Sequence, residues 1–554
     1  MKTGLSGGIA NQFINSKLTP LLMAVFLIVG IYSSFLIPRE EEPQIDVPLA
    51  DIFFRYPGAG PEEIESRVMQ PLEKVISNIP GVEYVYSTSM EGQAMMIVQF
   101  FVGEDIERSL VKMYNEIMKH MDQMPQGVSF PLIKTRSIDD VPVLGLTLWS
   151  KNYSDYELKR MAQEVNNEIE KVNGVAATKV IGGRSRQVRV VLNNEQMAGY
   201  NVDALMIAGQ IQMANGQSQP GSFSKNDHEY LVEAGQFLKS SEDVSNLVIG
   251  VHNGQPVYLR QVAEIIDGPQ EPVQYVGFGL GKMDSEQDSF PGEYPAVTIS
   301  IAKRKGADAM RVSDEILKKV EFEKKNLIPS DVQVSVTRNY GETASHKVSE
   351  LLMHLMMAIV SVTVVMILAM GWRGGLVVFL SVPVTFALTM FSYYFLDYTL
   401  NRITLFALVF VTGIVVDDSI IIAENMHRHF KMKKLPFIQA AIRSIDEVGN
   451  PTILATFTVI AAVLPMAFVS GMMGPYMSPM PIGASIAVIF SLLIALTITP
   501  YLAYRLLRFH EKPEHEEKVF NLRDSKIYKL YEKTLLPMLE SKTKSWGFIG
   551  GVTL

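Results

Sequence analysis

Six long apolar runs, almost free of charge, restrict what this chain can fold into more than any other feature. The first, Leu18–Ile37 (LTPLLMAVFLIVGIYSSFLI), holds no charged side chain over about 20 residues, the length that crosses the hydrocarbon of a bilayer. It lacks a small-x-small cleavage site and is long for the apolar region of a signal peptide, so it reads as an uncleaved span. A soluble stretch follows from Pro38 to Glu350. Five further runs then arrive in close succession, at Leu351–Trp372, Gly374–Leu396, Ile403–Met426, Pro451–Met473 and Ser478–Tyr504. Each is long enough to span. The pattern predicts a multi-pass α-helical membrane protein with one large external domain between helices 1 and 2.

Composition agrees with a mixture of two materials. The 554 residues are 48% hydrophobic and 19% charged, against about 25% charged in a typical soluble protein, and mean hydropathy is +0.15. The formal net charge is −8, which argues against nucleic acid as a partner, since that needs a basic footprint. The chain has no cysteine, excluding disulfide scaffolds, thiolate metal sites and cysteine nucleophiles together.

The loops predict orientation. Arg428, Lys431, Lys433, Lys434 and Arg443 lie between the fourth and fifth runs, and Arg505, Arg508 and Lys512 follow the sixth. The connection around Gly471–Met477 has no charge. By the positive-inside rule the basic segments are cytoplasmic, which places the N-terminus in the cytoplasm and the stretch 38–350 outside.

The external part contains a repeat. Gly60–Ser89 and Tyr153–Gly183 each read as an amphipathic helix ending at a glycine (Gly81, Gly174) and entering a Val-rich strand. A third pass runs from PAVTISIAKRK through MRVSDEILKKVEFEKK to VQVSVTR. Repeated strand–helix–strand units predict α+β sandwiches with helices on one sheet face. Between them GQSQPGSFSKNDHEY reads as an extended polar arm, either a surface loop or an intersubunit arm. A second polar insertion, GLGKMDSEQDSFPGE at 279–293, carries no recognisable chemistry.

The residues that carry chemistry lie in the fourth run, ITLFALVFVTGIVVDDSIIIAENM. Asp417 and Asp418 fall near its middle, where a charge costs at least a few kcal/mol. An unpaired acid there is expected to stay protonated, and two adjacent ones titrate as a unit. Such a group can load a proton from one side and release it to the other. The runs contain no Lys or Arg apart from those at their ends; the other titratable groups within them are His354 and Glu424. A counter-cation for the aspartates is therefore expected from a partner helix bundle. Gly413, one turn before Asp417, would permit close approach of a neighbouring helix, and Pro383, Pro465 and Pro500 interrupt three of the runs.

Other chemistries fit less well. Adjacent residues on a helix point about 100° apart, so the two acids cannot face each other across a substrate bond as an aspartyl protease requires. The 30 methionines invite a soft-metal reading, but most lie in apolar runs without His or Cys companions. No glycine-rich phosphate loop is present, so ATP is not the expected energy source.

The order of one span, a large external domain and five spans, with GIVVDDSIIIAEN in the fourth, resembles the resistance–nodulation–division (RND) transporters, in particular their acriflavine-resistance, hydrophobe/amphiphile efflux branch. FRYPGAGPEEIESRVMQPLEKVI, NIPGVEYVYS, RQVRVVLNNEQMAGYNVDALMI, IAAVLPMAFVSG and SIAVIFSLLIALTITPYLAYRLL carry the resemblance further, over nearly the whole chain. It implies a homotrimeric exporter of the bacterial inner membrane, needing no cofactor and driven by the proton motive force, with membrane lipid around it and a periplasmic adaptor and an outer-membrane channel as partners. It implies Asp417 and Asp418 as the proton relay, supported by Gly413, Glu424 and Asn425, with a lysine from a second half. It implies a division into 1–37 (N-terminus and helix 1), 38–193 (porter), 194–269 (docking, with an arm near Gln212–Gly235), 270–340 (porter return), 341–508 (helices 2–6) and 509–554 (cytoplasmic amphipathic segment and the start of a possible seventh helix).

Family members carry about twelve spans in two similar halves, so this sequence reads as an N-terminal half. The phenylalanines of the drug pocket in multidrug members have no counterpart in IDDVPVLGLTL or ATKVIGG, leaving the substrate-binding residues unassigned. The expected function is export of amphiphilic or hydrophobic compounds by proton antiport, not enzymatic catalysis. The alternatives are a copper- or silver-type metal exporter and a proton-driven accessory protein for protein or lipid export.

Overall fold

The computed structural model describes residues 4–43, 45, 47–136, 140–284, 289–432, 435–508 and 526–553. Among them six helices are long and apolar enough to cross a membrane: Leu18–Leu36, Tyr340–Met370, Trp372–Phe395, Arg402–Met432, Phe437–Phe468 and Met473–Leu507. They are called spans one to six below. The most apolar windows of spans three, four and six are 72%, 56% and 61% buried, against 17%, 22% and 11% for spans one, two and five. Spans three, four and six therefore form the centre, and the others present most of their surface outward.

Helix ends depart from the hydropathy limits, because hydropathy marks where lipid contact would be and not where backbone hydrogen bonding stops. Span two begins at Tyr340, eleven residues before its apolar run, with Asn339 accepting the Glu342 N–H at 3.1 Å. Span four continues to Met432 and span five starts at Phe437, so most of the basic connection is helical. Lys433 and Lys434 lie outside the described residues, as do Lys512 and the rest of 509–525. Pro383 and Pro500 sit within continuous helices, while Pro465 opens the 3₁₀ turn Leu464–Phe468 that ends span five. Close packing depends on small residues: a Cβ on Gly30 of span one would collide with backbone and side chain of Ala387 on span three.

Outside the spans the chain first builds an antiparallel sheet from β1 (Leu49–Arg55), β2 (Val82–Met90), β3 (Gln93–Phe100) and β4 (Leu132–Arg136), in the order β2-β3-β1-β4. Strand alternation sends Ala50, Ile52 and Phe54 inward with Ala94, Met96, Val98 and Phe100. Ile64, Val68, Leu72 and Ile76 of the helical stretch 61–77, and Met113 and Ile117 of helix Ile106–Lys119, cover that face. β5 (Pro142–Trp149) and β6 (Val175–Ile181) then start a second sheet, joined by helix Asp155–Ile169 with a Ser154/Glu157 capping box. The repeated helices end at Ser77 and Ile169, short of the expected glycines; Gly81 and Gly174, at φ +101° and +91°, instead form the left-handed turn residues directly before β2 and β6, a conformation that glycine adopts without strain.

A separate α+β unit interrupts the second sheet. β7 (Arg186–Leu192) pairs with β12 (Ala263–Pro269), and β10 (Val248–His252) with β11 (Gln255–Tyr258). Val202, Ile207, Ile249, Val257, Leu259 and Val262 make its core. From it projects a hairpin of β8 (Gly216–Lys225) and β9 (His228–Gln236), closed by Asn226 and Asp227 at φ 55° and 58°. The polar arm is thus a two-stranded ribbon, exposed along nearly its whole length, with Phe223 stacked on Tyr230 at 5.2 Å.

The chain returns through β13 (Gly277–Gly279), β14 (Glu293–Lys303), helix Ala309–Asn326 and β15 (Gln333–Asn339), completing the five-stranded sheet β13-β14-β5-β15 with β6 also on β14. Leu144, Leu146, Leu148, Val297, Ile299 and Ile301 face its two helices. Of the insertion 279–293, residues 285–288 lie outside the described residues. Phe290 packs edge-on against the buried Trp149 at 5.0 Å, so the end of the insertion caps the sheet. Beyond span six, Lys526–Glu540 and Lys542–Thr553 are helical.

Candidate functional site

Span four is held at its outer end by Asn401, whose Oδ1 accepts the backbone N–H groups of Ile403 at 2.9 Å and Thr404 at 3.0 Å. The helix Arg402–Met432 is 31 residues long, which puts Asp417 and Asp418 at its midpoint. The two acids face different surroundings, as their angular separation requires. Asp418 is buried, 7% exposed, and points at span six. There the Ser491 Oγ lies 2.8 Å from Asp418 Oδ2 and 2.6 Å from the carbonyl oxygen of Val415. The next residue, Ser419, meets Thr499 across the same pair of helices, their hydroxyls 3.3 Å apart.

Asp417 is exposed, on a stripe of span four that no other described helix covers. Phe406, Phe410, Gly413, Ile421 and Glu424 lie on that stripe, all exposed and spaced three or four residues apart. The close helix approach expected at Gly413 is not made within the described residues, where an added Cβ would meet nothing within 4 Å. Glu424 is exposed toward the inner end, whereas Asn425 is buried and donates from Nδ2 to the carbonyl of Ser444 on span five at 2.7 Å. Among the described residues, neither aspartate has an ion-pair partner.

The sequence marks the acids and Asn425 but not Ser491. The one available signal is the single hydroxyl of the otherwise apolar stretch IAVIFSLLIAL. The buried Ser381, Thr385 and Thr389 of span three do not join the site: each donates to a carbonyl of its own helix three or four residues back.

A six-span bundle with two acids at mid-depth, joined to paired α+β sheets and a projecting hairpin, defines a polytopic membrane protein with a large domain outside its spans. The sequence profile of the AcrB/AcrD/AcrF family matches residues 9–553, and the chain belongs to that family. It is similar to the multidrug resistance protein MdtC of Yersinia pseudotuberculosis serotype O:1b (strain IP 31758), 29% identical over 505 residues that cover 90% of this chain and 48% of that protein. MdtC of Yersinia pestis bv. Antiqua (strain Angola) matches with the same identity and coverage. The chain thus spans about half the length of the curated relatives it matches.

Proposed function

We propose that this chain is the proton-handling half of a secondary transporter that exports amphiphilic or hydrophobic compounds by proton antiport. The observation that carries this reading is the division of labour between two adjacent acids: Asp418 is buried against Ser491, while Asp417 stands on an uncovered helix face. Asp418 is the inner station of the relay and Asp417 the outer one. Two carboxyls at mid-depth without a bonded cation load as neutral acids. Ionisation requires a positive group brought to the Asp417 stripe, and a helix bundle that completes the transporter supplies it as a Lys or Arg. Gly413 leaves room on that stripe for the incoming helix, and Asn425 ties spans four and five together.

The two larger sheets with their helices take the porter role, and the separate α+β unit, which begins with β7 and ends with β12, takes the docking role. The β8–β9 hairpin joins three copies into a homotrimer, and the assembly lies in the bacterial inner membrane with these units in the periplasm. A periplasmic adaptor and an outer-membrane channel continue the path. The similar MdtC proteins are multidrug resistance proteins, which favours organic compounds over metal ions as cargo.

The test is dye extrusion from preloaded cells carrying the intact transporter, under an imposed pH gradient. Asp417→Asn and Asp418→Asn should each abolish extrusion while leaving the protein at wild-type abundance in the membrane. Extrusion that persists in either variant would refute the relay.

A further inference from the structure

One buried ion pair lies far from the relay, where membrane and external parts meet. Glu40, just past span one, and Lys303, the last residue of β14, have side chains 3% and 7% exposed, with Lys303 Nζ 2.5 Å from Glu40 Oε1. Removing two charges from water is expensive, and a surface contact would hold the segments together without that expense. The partners of Glu40 show what the pair connects. Its backbone is bonded to Leu400, one residue past Thr399. Asn401 Nδ2 donates to Thr399 Oγ1 at 2.9 Å, and Asn401 Oδ1 caps span four through Ile403 and Thr404. The segment that carries Glu40 is therefore bonded both to the second sheet, through Lys303, and to the residues that precede and cap the helix carrying Asp417 and Asp418.

The backbone runs alongside it. Glu40 N–H donates to the Leu400 carbonyl at 3.1 Å, and Leu400 N–H to the Pro38 carbonyl at 2.9 Å. Arg39 N–H donates to Asp308 Oδ2 at 3.0 Å, and Ala309 N–H to the Arg39 carbonyl at 3.1 Å, which fixes the helix following β14. Arg402, the first residue of span four, pairs with Glu41 at 3.1 Å. Three segments remote in sequence, near 40, 303 and 400, meet at Glu40, the second through its carboxylate and the third through its backbone.

We infer that the Glu40–Lys303 pair is the joint that couples span four to the external sheet, so that a displacement of the relay helix is delivered to the domain that handles cargo. A charged pair suits this task better than an apolar contact. Apolar surfaces slide at little expense, whereas a desolvated pair holds one register, since separation leaves each charge buried alone. Glu40 and Lys303 act here as positioning residues, and the inference rests on the proton-driven reading only for what moves span four.

The chain has no cysteine, so Lys318→Cys on the helix after β14 and Leu396→Cys at the outer end of span three introduce a spin-label pair with no background from this chain. In the intact transporter, Lys303→Met should broaden the distance distribution between the labels and cut dye extrusion at least about tenfold at wild-type membrane abundance. The exchange Glu40→Lys with Lys303→Glu should restore a single narrow distribution and most of the extrusion. Arg402→Gln, which removes only the charge contacts of span four with Glu41 and Glu42, should lower extrusion while keeping the Glu40–Lys303 register and the narrow distribution. Unchanged extrusion in both Lys303→Met and Arg402→Gln, or a charge exchange that rescues nothing, overturns the joint. Persistence of extrusion in Asp418→Asn refutes the proton reading separately, while the label distances still decide the joint.

Discussion

Asp418 and Ser491 share a hydrogen bond in which the hydroxyl faces a second acceptor, the carbonyl of Val415, at 2.6 Å. With one proton the serine satisfies one acceptor at a time. When Asp418 is ionised, Ser491 donates to it; when Asp418 is protonated, the acid donates to Ser491 and the serine turns to Val415. The hydrogen bond is thus kept in both protonation states of the acid. Ser491→Ala removes the partner in both, leaving a buried carboxyl unsatisfied at a cost of about 1–3 kcal/mol. Thermal unfolding in detergent should show that loss, and Ser491→Thr should recover most of it.

Two glycines separate packing from propensity. Gly30 faces Ala387 with no space for a methyl group, whereas a Cβ added at Gly8, in helix Leu5–Phe13, would meet nothing within 4 Å. Gly30→Ala should destabilise by about 1–3 kcal/mol through overpacking of spans one and three. Gly8→Ala should instead stabilise by up to about 1 kcal/mol, since alanine loses less backbone freedom in a helix. Unfolding temperatures of the two variants should therefore move in opposite directions.

The buried joint gives a signed pH effect. Burial pushes the Glu40 carboxyl above its ordinary value of 4.5, and Lys303 opposes that push. In Lys303→Met the opposition is gone and the carboxyl rises further. The folded variant then binds a proton more tightly than its unfolded chain does, so its stability grows as pH falls through the folded-state pKa and is lost above it. The unfolding temperature of Lys303→Met should approach that of the wild type as pH falls from about 8 to about 5. A gap that stays constant over this range would show that Glu40 is not the group responsible.

The β8–β9 hairpin contributes almost nothing to the core of its own chain, because its residues are exposed and its strands pair with each other. Replacing 217–235 by a short Gly-Ser turn should leave the unfolding temperature unchanged within error. Sedimentation of the intact transporter should shift from trimer toward monomer. Retention of the trimer after deletion would remove the assembly role proposed for the hairpin.

Whatever depends on near neighbours is plain in the sequence. Charge-free runs reveal spans because every backbone polar group in lipid must be satisfied within its own helix. The acid pair in VVDDSI is visible for the same reason, since a charged residue there contradicts its surroundings. Gly81 and Gly174 mark the turns that enter the following strands, as local backbone geometry requires, while the helices themselves stop four and five residues earlier. Partnerships across the fold are invisible. Ser491 is 73 residues from Asp418, and Lys303 is 263 from Glu40. Nothing in REEEP singles out Glu40, the first of its three glutamates, because burial is decided by segments that arrive from elsewhere. The exposed stripe around Asp417 likewise emerges only once spans two, three, five and six have taken their places.

Span two is continuous from Tyr340, at the end of the external sheet, to Met370, 31 residues without a break. At about 1.5 Å per residue it is a rod of roughly 46 Å. Its outer end is pinned, because Gly341 sits so close to Ala309 and Ser313 that even a methyl group would not fit. A rod clamped at one end converts small angles into large strokes: a tilt of about 5° sweeps the far end by about 4 Å, wider than a water molecule of about 2.8 Å diameter. A tilt that carries the inner end of span two past the width of a water molecule therefore demands almost no deformation at the clamp.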